Sequence, residues 1–391
     1  MLLKPLANEV RGNDVLRRCC VSRLDGETLL NENELWFQFP KTVNAPESDD
    51  CDSYLLAMLM DGMLEGRNIV IKGSVSRKLL SNLTEFQSAL NKRSLNMYKI
   101  VQMEADTIKE DGTSVPGAVC AFSGGVDATF SVWRNSQNKN SYRSQKINFC
   151  SLVHGFDIPL SDVKAFDNAL TAASKTLSDI NLEIIPIRTN YRKITKVNWE
   201  HGCGAALVGT LSNFKRLAGT CLVGSSEPYD SLVMPWGSCP LTDHLLSSDG
   251  FTVIHDGASH NRTEKVNEIA DWITGVNNLR VCWQGHLKDR NCGKCEKCLR
   301  TSLNFLACNQ PIPKCFPESI VMEKELKHIV LGNDLVRAEW NQILEYANRN
   351  NINSNWKMAL SRVVRRKSAI DIILPRGSMR RKLIKNLIKR K

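Results

Sequence analysis

From residue 118 onward the chain alternates short apolar runs of strand length with longer amphipathic runs of helix length. No other feature constrains the fold as strongly. Strand-like runs lie at 118–122, 147–153, 182–187, 220–223 and 251–254, and helix-like runs lie at 127–135, 163–177, 205–217 and 263–272. Strands separated by helices predict an α/β fold with a doubly wound parallel sheet. Ligands of such sheets bind beyond the carboxyl ends of the strands. That places Ser123–Asp127, His154–Asp157, Arg188–Arg192, Gly224–Ser226 and His255–Gly257 among the candidate positions.

Around this region the chain divides by pattern. Residues 1–115 read as a smaller α/β domain of unassigned role. Its strands are expected at 34–40, 68–72 and 98–103, with helices over 54–64 and 76–89. The polar stretch 109–114 reads as a linker into a nucleotide-binding domain over 116–303. Residues 304–366 read as a helical extension, and 367–391 as a basic tail.

Charge confines the partners. Lys and Arg total 52 against 41 Asp and Glu, a net charge of +11. Residues 362–391 hold twelve of the basic residues and one acid, Asp371, so residues 1–361 balance to zero. The tail, not the body, carries the basic character, which makes nucleic acid the less favoured partner. Within the tail, Met379, Leu383, Ile384, Leu387 and Ile388 form one helical stripe flanked by cations. Residues 379–391 are therefore expected to contact a membrane surface or a protein. Neither a run of about 18 apolar residues nor an N-terminal leader pattern is visible. Ten of the fourteen cysteines are scattered, several inside apolar runs. That usage fits a reducing compartment, and the expected location is the cytoplasm, at most peripheral to the inner face of the membrane.

The sharpest local signal is Ser123-Gly124-Gly125-Val126-Asp127, directly after one expected strand and directly before a helix. Paired glycines let the backbone approach an anion closely. The helix start adds free N–H groups and the positive end of its dipole. Ser123 supplies a hydroxyl, and Asp127 can hold a metal ion that neutralises phosphate. The plain alternative is a tight strand-to-helix turn. A second signal is the set Cys282, Cys292, Cys295 and Cys298. Four thiolates with no open position describe a structural Zn²⁺ site. The plain alternative there is a group of free thiols or disulfides.

The loop resembles the S-G-G-x-D-S signature of the PP-loop ATP pyrophosphatases, with Ala128 in place of the final Ser. With the cysteines about 155 residues on, and Arg300 just after them, residues 117–303 resemble the 7-cyano-7-deazaguanine synthases. The resemblance implies a HUP-type fold, the cofactors ATP, Mg²⁺ and Zn²⁺, and an ATP-dependent carbon–nitrogen ligase. Such an enzyme adenylates a carboxylate, here best matched by 7-carboxy-7-deazaguanine, for attack by ammonia or an amine. It implies catalytic roles for Ser123 and Asp127. ATP contacts are expected from Ser123, Gly124, Gly125, Val126, Asp127, His154, Asp157, Gly224 and Ser225. Substrate contacts are expected from Arg188, Asn190, Trp236 and Asp243. Each has a plainer reading as a surface or packing residue. Two rival functions are a PP-loop tRNA-modifying enzyme and a nonenzymatic nucleotide-binding partner.

Overall fold

The structure, a computed structural model, describes residues 1–366 apart from 27, 95–96, 111, 140, 233–235, 283–284, 319 and 332–333. The stripe expected at 379–391 lies outside the described residues.

Eleven strands join in one sheet: β1 (Leu2–Pro5), β2 (Glu9–Arg11), β3 (Asp14–Asp25), β4 (Thr28–Pro40), β5 (Ile69–Ser76), β6 (Met103–Lys109), β7 (Ala118–Ala121), β8 (Ile147–His154), β9 (Ile184–Thr189), β10 (Thr220–Gly224) and β11 (Thr252–Asp256). Their order is β11-β10-β7-β8-β9-β4-β3-β1-β5-β6, with β2 paired to β3. The first helices are α1 (Asp52–Glu65), α2 (Arg77–Arg93), α3 (Val126–Ser136), α4 (Val163–Ser178), α5 (Tyr191–Ile194) and α6 (Trp199–Leu211). They are followed by α7 (Arg262–Ile269), α8 (Ile273–Asn277), α9 (Glu296–Ala307), α10 (Met322–Leu326), α11 (Asp334–Arg349) and α12 (Asn355–Arg365). Among the described residues no helix is long and apolar enough to cross a membrane.

From β11 to β9 every pairing is parallel. The strand order reverses between β7 and β10, which opens a crevice at their carboxyl ends. Neighbouring residues of one strand face opposite cores. Ala118, Cys120 and Leu222 pack with Ala128 and Val132 of α3 and with Ala173 and Leu177 of α4. Val119, Cys221 and Val223 pack with Ala205, Val208 and Leu211 of α6. Helices therefore cover both faces, as a doubly wound sheet requires.

The sheet does not stop at β9. Phe37 and Gln38 of β4 pair antiparallel with Thr189 and Arg188. One apolar core then runs from Leu3, Phe37 and Leu56 to Phe149, Ile187 and Phe214. Residues 1–115 thus share both sheet and core with the parallel half. Three strands, β1 to β3, precede the first one expected at 34–40. The strand expected at 98–103 begins instead at Met103. Side chains of α2 occupy the backbone before it: Gln87 accepts from the Val101 N–H at 2.8 Å, and Asn91 donates to the Tyr98 carbonyl at 2.9 Å. The region after α9 is helical and has its own core around Leu303, Trp340, Ile343 and Leu360.

Candidate functional site

The loop between β7 and α3 lies at the reversal of strand order. Gly124 has φ 77°, a left-handed conformation suited to glycine. Gly125 caps α3 in an extended conformation, and no side chain takes up the first N–H groups of the helix. Those groups and the dipole favour an anion in front of the loop. Across the crevice, a Cβ on Gly224 would stand 3.0 Å from the Asp127 carbonyl. Glycine there lets the end of β10 meet the start of α3.

Four cations surround Asp127. Arg262 Nη2 donates to Asp127 Oδ2 at 2.8 Å, and Lys265 Nζ donates to Oδ1 at 3.0 Å. Lys265 also donates to the Ser225 carbonyl. Burial alone would raise the Asp127 carboxyl, but Arg262 and Lys265 outweigh it and bring it down to about 2. Arg300 pairs with Glu339 of α11 and, at 3.0 Å, with Glu296. Burial, followed by the field of Arg262, lowers Arg300 to about 10. Lys297 makes no ion pair among the described residues. Burial lowers its ammonium, and Arg262 and Arg300 lower it further. These four cations, balanced in part by Asp127, Glu296 and Glu339, crowd beside an uncapped helix N-terminus.

Arg280 ties this loop to the cysteine cluster. Its backbone N–H donates to the Gly124 carbonyl at 2.8 Å, and its Nε donates to the Ser123 carbonyl at 3.2 Å. Two residues later stands Cys282. The Sγ atoms of Cys282, Cys292, Cys295 and Cys298 all lie within 4.8 Å of one another. Two of the separations are 3.7 Å, for Cys282 to Cys295, and 3.9 Å, for Cys292 to Cys298. A tetrahedron of about 2.3 Å Zn–S bonds has edges of about 3.8 Å. The cluster could therefore hold a metal such as zinc. Asn291 frames it, accepting from the N–H groups of Val281 and Cys282 and donating to the carbonyls of Leu279 and Cys315.

The other expected residues are distributed unevenly. Asp157 lies 3.9 Å from Arg280, at the edge of the loop. His154 is buried, stacked on Phe166 of α4, with Nε2 on the Pro159 carbonyl at 3.0 Å. Ser225 turns its hydroxyl to the Glu227 carbonyl at 2.6 Å. Arg188 sits in the β9–β4 pairing. Asn190 uses its amide on β4, accepting from the Trp36 N–H at 3.0 Å and donating to the Glu34 carbonyl at 2.6 Å. Trp236 donates to Ser226 Oγ at 3.2 Å. Asp243 is buried against Ser238, Cys239 and His255.

No family model, curated protein or solved structure matches the chain. The site therefore has to be read from its own chemistry. Arg262, Lys265 and Arg280 have no counterpart among the expected residues. They reach Asp127 and Gly124 from more than 130 positions away in the sequence, and no local motif marks them. Arg300 stands out in the sequence only as the residue just after the cysteines, and no local pattern marks Lys297.

Proposed function

We propose that the chain is an ATP-dependent ligase that adenylates a carboxylate for attack by ammonia or an amine. The observation that carries this reading is the glycine loop at the switch point, with an uncapped helix start and Arg262, Lys265, Lys297 and Arg300 around it. A triphosphate would place its charge where these cations crowd. Fixed cations and backbone N–H groups would then stabilise the charge developing on departing pyrophosphate. Asp127 would hold Mg²⁺ only by exchanging Arg262 or Lys265 for it, and the phosphates would offer those two residues new partners. Zn²⁺ on the four cysteines, with no open position, would hold Arg280 and the loop in place. The favoured carboxylate is 7-carboxy-7-deazaguanine, on the resemblance of the loop and the cysteines.

The test is release of AMP and pyrophosphate from Mg-ATP with and without 7-carboxy-7-deazaguanine, followed by the product mass. Release that requires the acid and is lost in Asp127→Asn supports adenylation. Zinc-loaded protein that yields no AMP with this acid or with a panel of other carboxylates would sink it.

A further inference from the structure

We propose that His255 is the general base that accepts the proton of the attacking amine and that Asp243 is its positioning residue, an inference that rests on the adenylation reading above. His255 lies on β11, in register beside Val223 of β10, one residue before the end of the strand. Its side chain is 5% exposed and that of Asp243 is 1% exposed. Asp243 Oδ2 accepts from His255 Nδ1 at 2.7 Å and from Ser238 Oγ at 2.6 Å, and Oδ1 accepts from the Cys239 N–H at 2.8 Å. An ionised carboxylate only accepts, so Nδ1 carries the proton and Nε2 keeps a lone pair in the neutral ring.

Nε2 is buried and has no hydrogen-bond partner among the described residues. A buried polar atom left unpaired costs free energy, and a ligand proton would remove that cost. Carboxylate, imidazole and open lone pair form the base half of a nucleophile-activating relay. Ser238 sits on the carboxylate side of the ring, so it is not the nucleophile. His154 also has an unpartnered nitrogen, but its ring is oriented by a carbonyl and by Phe166 rather than by an acid. Trp236 donates to Ser226 Oγ at 3.2 Å, which ties the 236–243 segment to the turn just beyond the end of β10.

The step balances. The nitrogen lone pair forms a bond to the acyl carbon, the carbon–oxygen bond to AMP breaks, and AMP leaves with that electron pair. The proton lost by nitrogen goes to Nε2. Formation of the adenylate needs no base, since the substrate carboxylate is already ionised. Asp243 faces the ring directly, and among the described residues Cys203 of α6 and Cys221 of β10 lie in the field of Asp243, with Arg93 of α2 beyond them on Cys239. Arg93 donates to Cys239 Sγ at 3.2 Å. Burial, then Asp243, pushes the Cys203 thiol up to about 12, so it stays neutral.

Exchange of labelled pyrophosphate into ATP, with 7-carboxy-7-deazaguanine present, reads adenylation alone. Amide formation with ammonia reads both steps. His255→Gln is expected to lower amide formation about 100-fold more than exchange, within the usual contribution of a general base. Hydroxylamine, largely unprotonated at neutral pH, should restore product to within a few-fold. Asp243→Asn should likewise lower amide formation more than exchange, with hydroxylamine restoring product, and it decides the matter if His255→Gln loses zinc or melts early. Equal losses in exchange and amide formation, or amide formation at the wild-type level, would overturn the base. No exchange in the wild type would instead overturn adenylation, and the base with it.

Discussion

Asp127 and Lys297 share one patch of partly buried charge, but its field acts on them in opposite senses. The carboxyl of Asp127 is held at about 2 because Arg262 and Lys265 outweigh burial. Its contribution to stability is thus fully present above the unfolded value of about 4 and is lost as pH falls toward about 2. Asp127→Ala would leave the buried Lys265 without its acid and the buried Arg262 with Glu339 alone, 3.4 Å away. A cost of about 3 kcal/mol is expected, the lower end for breaking a buried pair, and chemical denaturation at pH 7 would measure it. That difference between variant and wild type should shrink as the pH is lowered toward 2. Lys297 behaves in the reverse way. Its ammonium is lowered by burial and by Arg262 and Arg300, so the charged form opposes folding at neutral pH. Lys297→Met should therefore melt no lower than the wild type, and should bind ATP about tenfold more weakly, as loss of one charged hydrogen bond of at least 1.5 kcal/mol would give. A variant that binds ATP normally, by calorimetry, would remove Lys297 from the anion site.

At the scale of elements, the described residues between α8 and α9 gather around two things, the four cysteine sulfurs and Asn291. The Asn291 amide meets four backbone groups, two of them the N–H groups of Val281 and Cys282. Asn291→Ala would free all four and loosen the position of Cys282. Zinc affinity should fall about 10- to 100-fold, as it does when groups supporting a ligand are removed, and competition with a chromogenic chelator would read the loss. Because cysteine thiols must shed protons to bind, affinity in both proteins should weaken as the medium is acidified. The cysteines were legible in the sequence since all four lie within seventeen residues. So were β7 to β11, whose apolar runs are bounded by polar loops. β3 was not, because its buried positions include Arg17, Ser22 and Arg23. Their partners are remote: Asn213 for Arg17, and Asp61 and Glu65 for Arg23. Polar residues satisfied across such distances break the alternation from which a strand is read. The same remoteness concealed Arg262 and Lys265.

The molecule as a whole depends on how firmly residues 1–115 are fused to the parallel half. The β4–β9 pairing is short, but three other features cross the same boundary. Arg17 is fully buried and donates to Asn213 Oδ1 at 2.7 Å, after α6, and to the Asp50 carbonyl at 2.7 Å, before α1. The Asn190 amide closes the end of the pairing. Gly209 lets α6 lie directly on α1, where a Cβ would meet the Ser53 carbonyl oxygen at 2.9 Å and the Ala57 nitrogen at 3.0 Å. Both obstacles are backbone, so neither can rotate away. Gly209→Ala must push the helices apart, at a cost of about 1–3 kcal/mol typical of overpacking. With a shared core, that cost belongs to the whole sheet. Hydrogen exchange should then speed up together in β5, on the far side of the pairing, and in β7, behind the glycine loop at 123–127. Faster exchange in β5 with β7 unaltered would show that the two halves open independently. It would also mean that the glycine loop does not depend on the first 115 residues for its support.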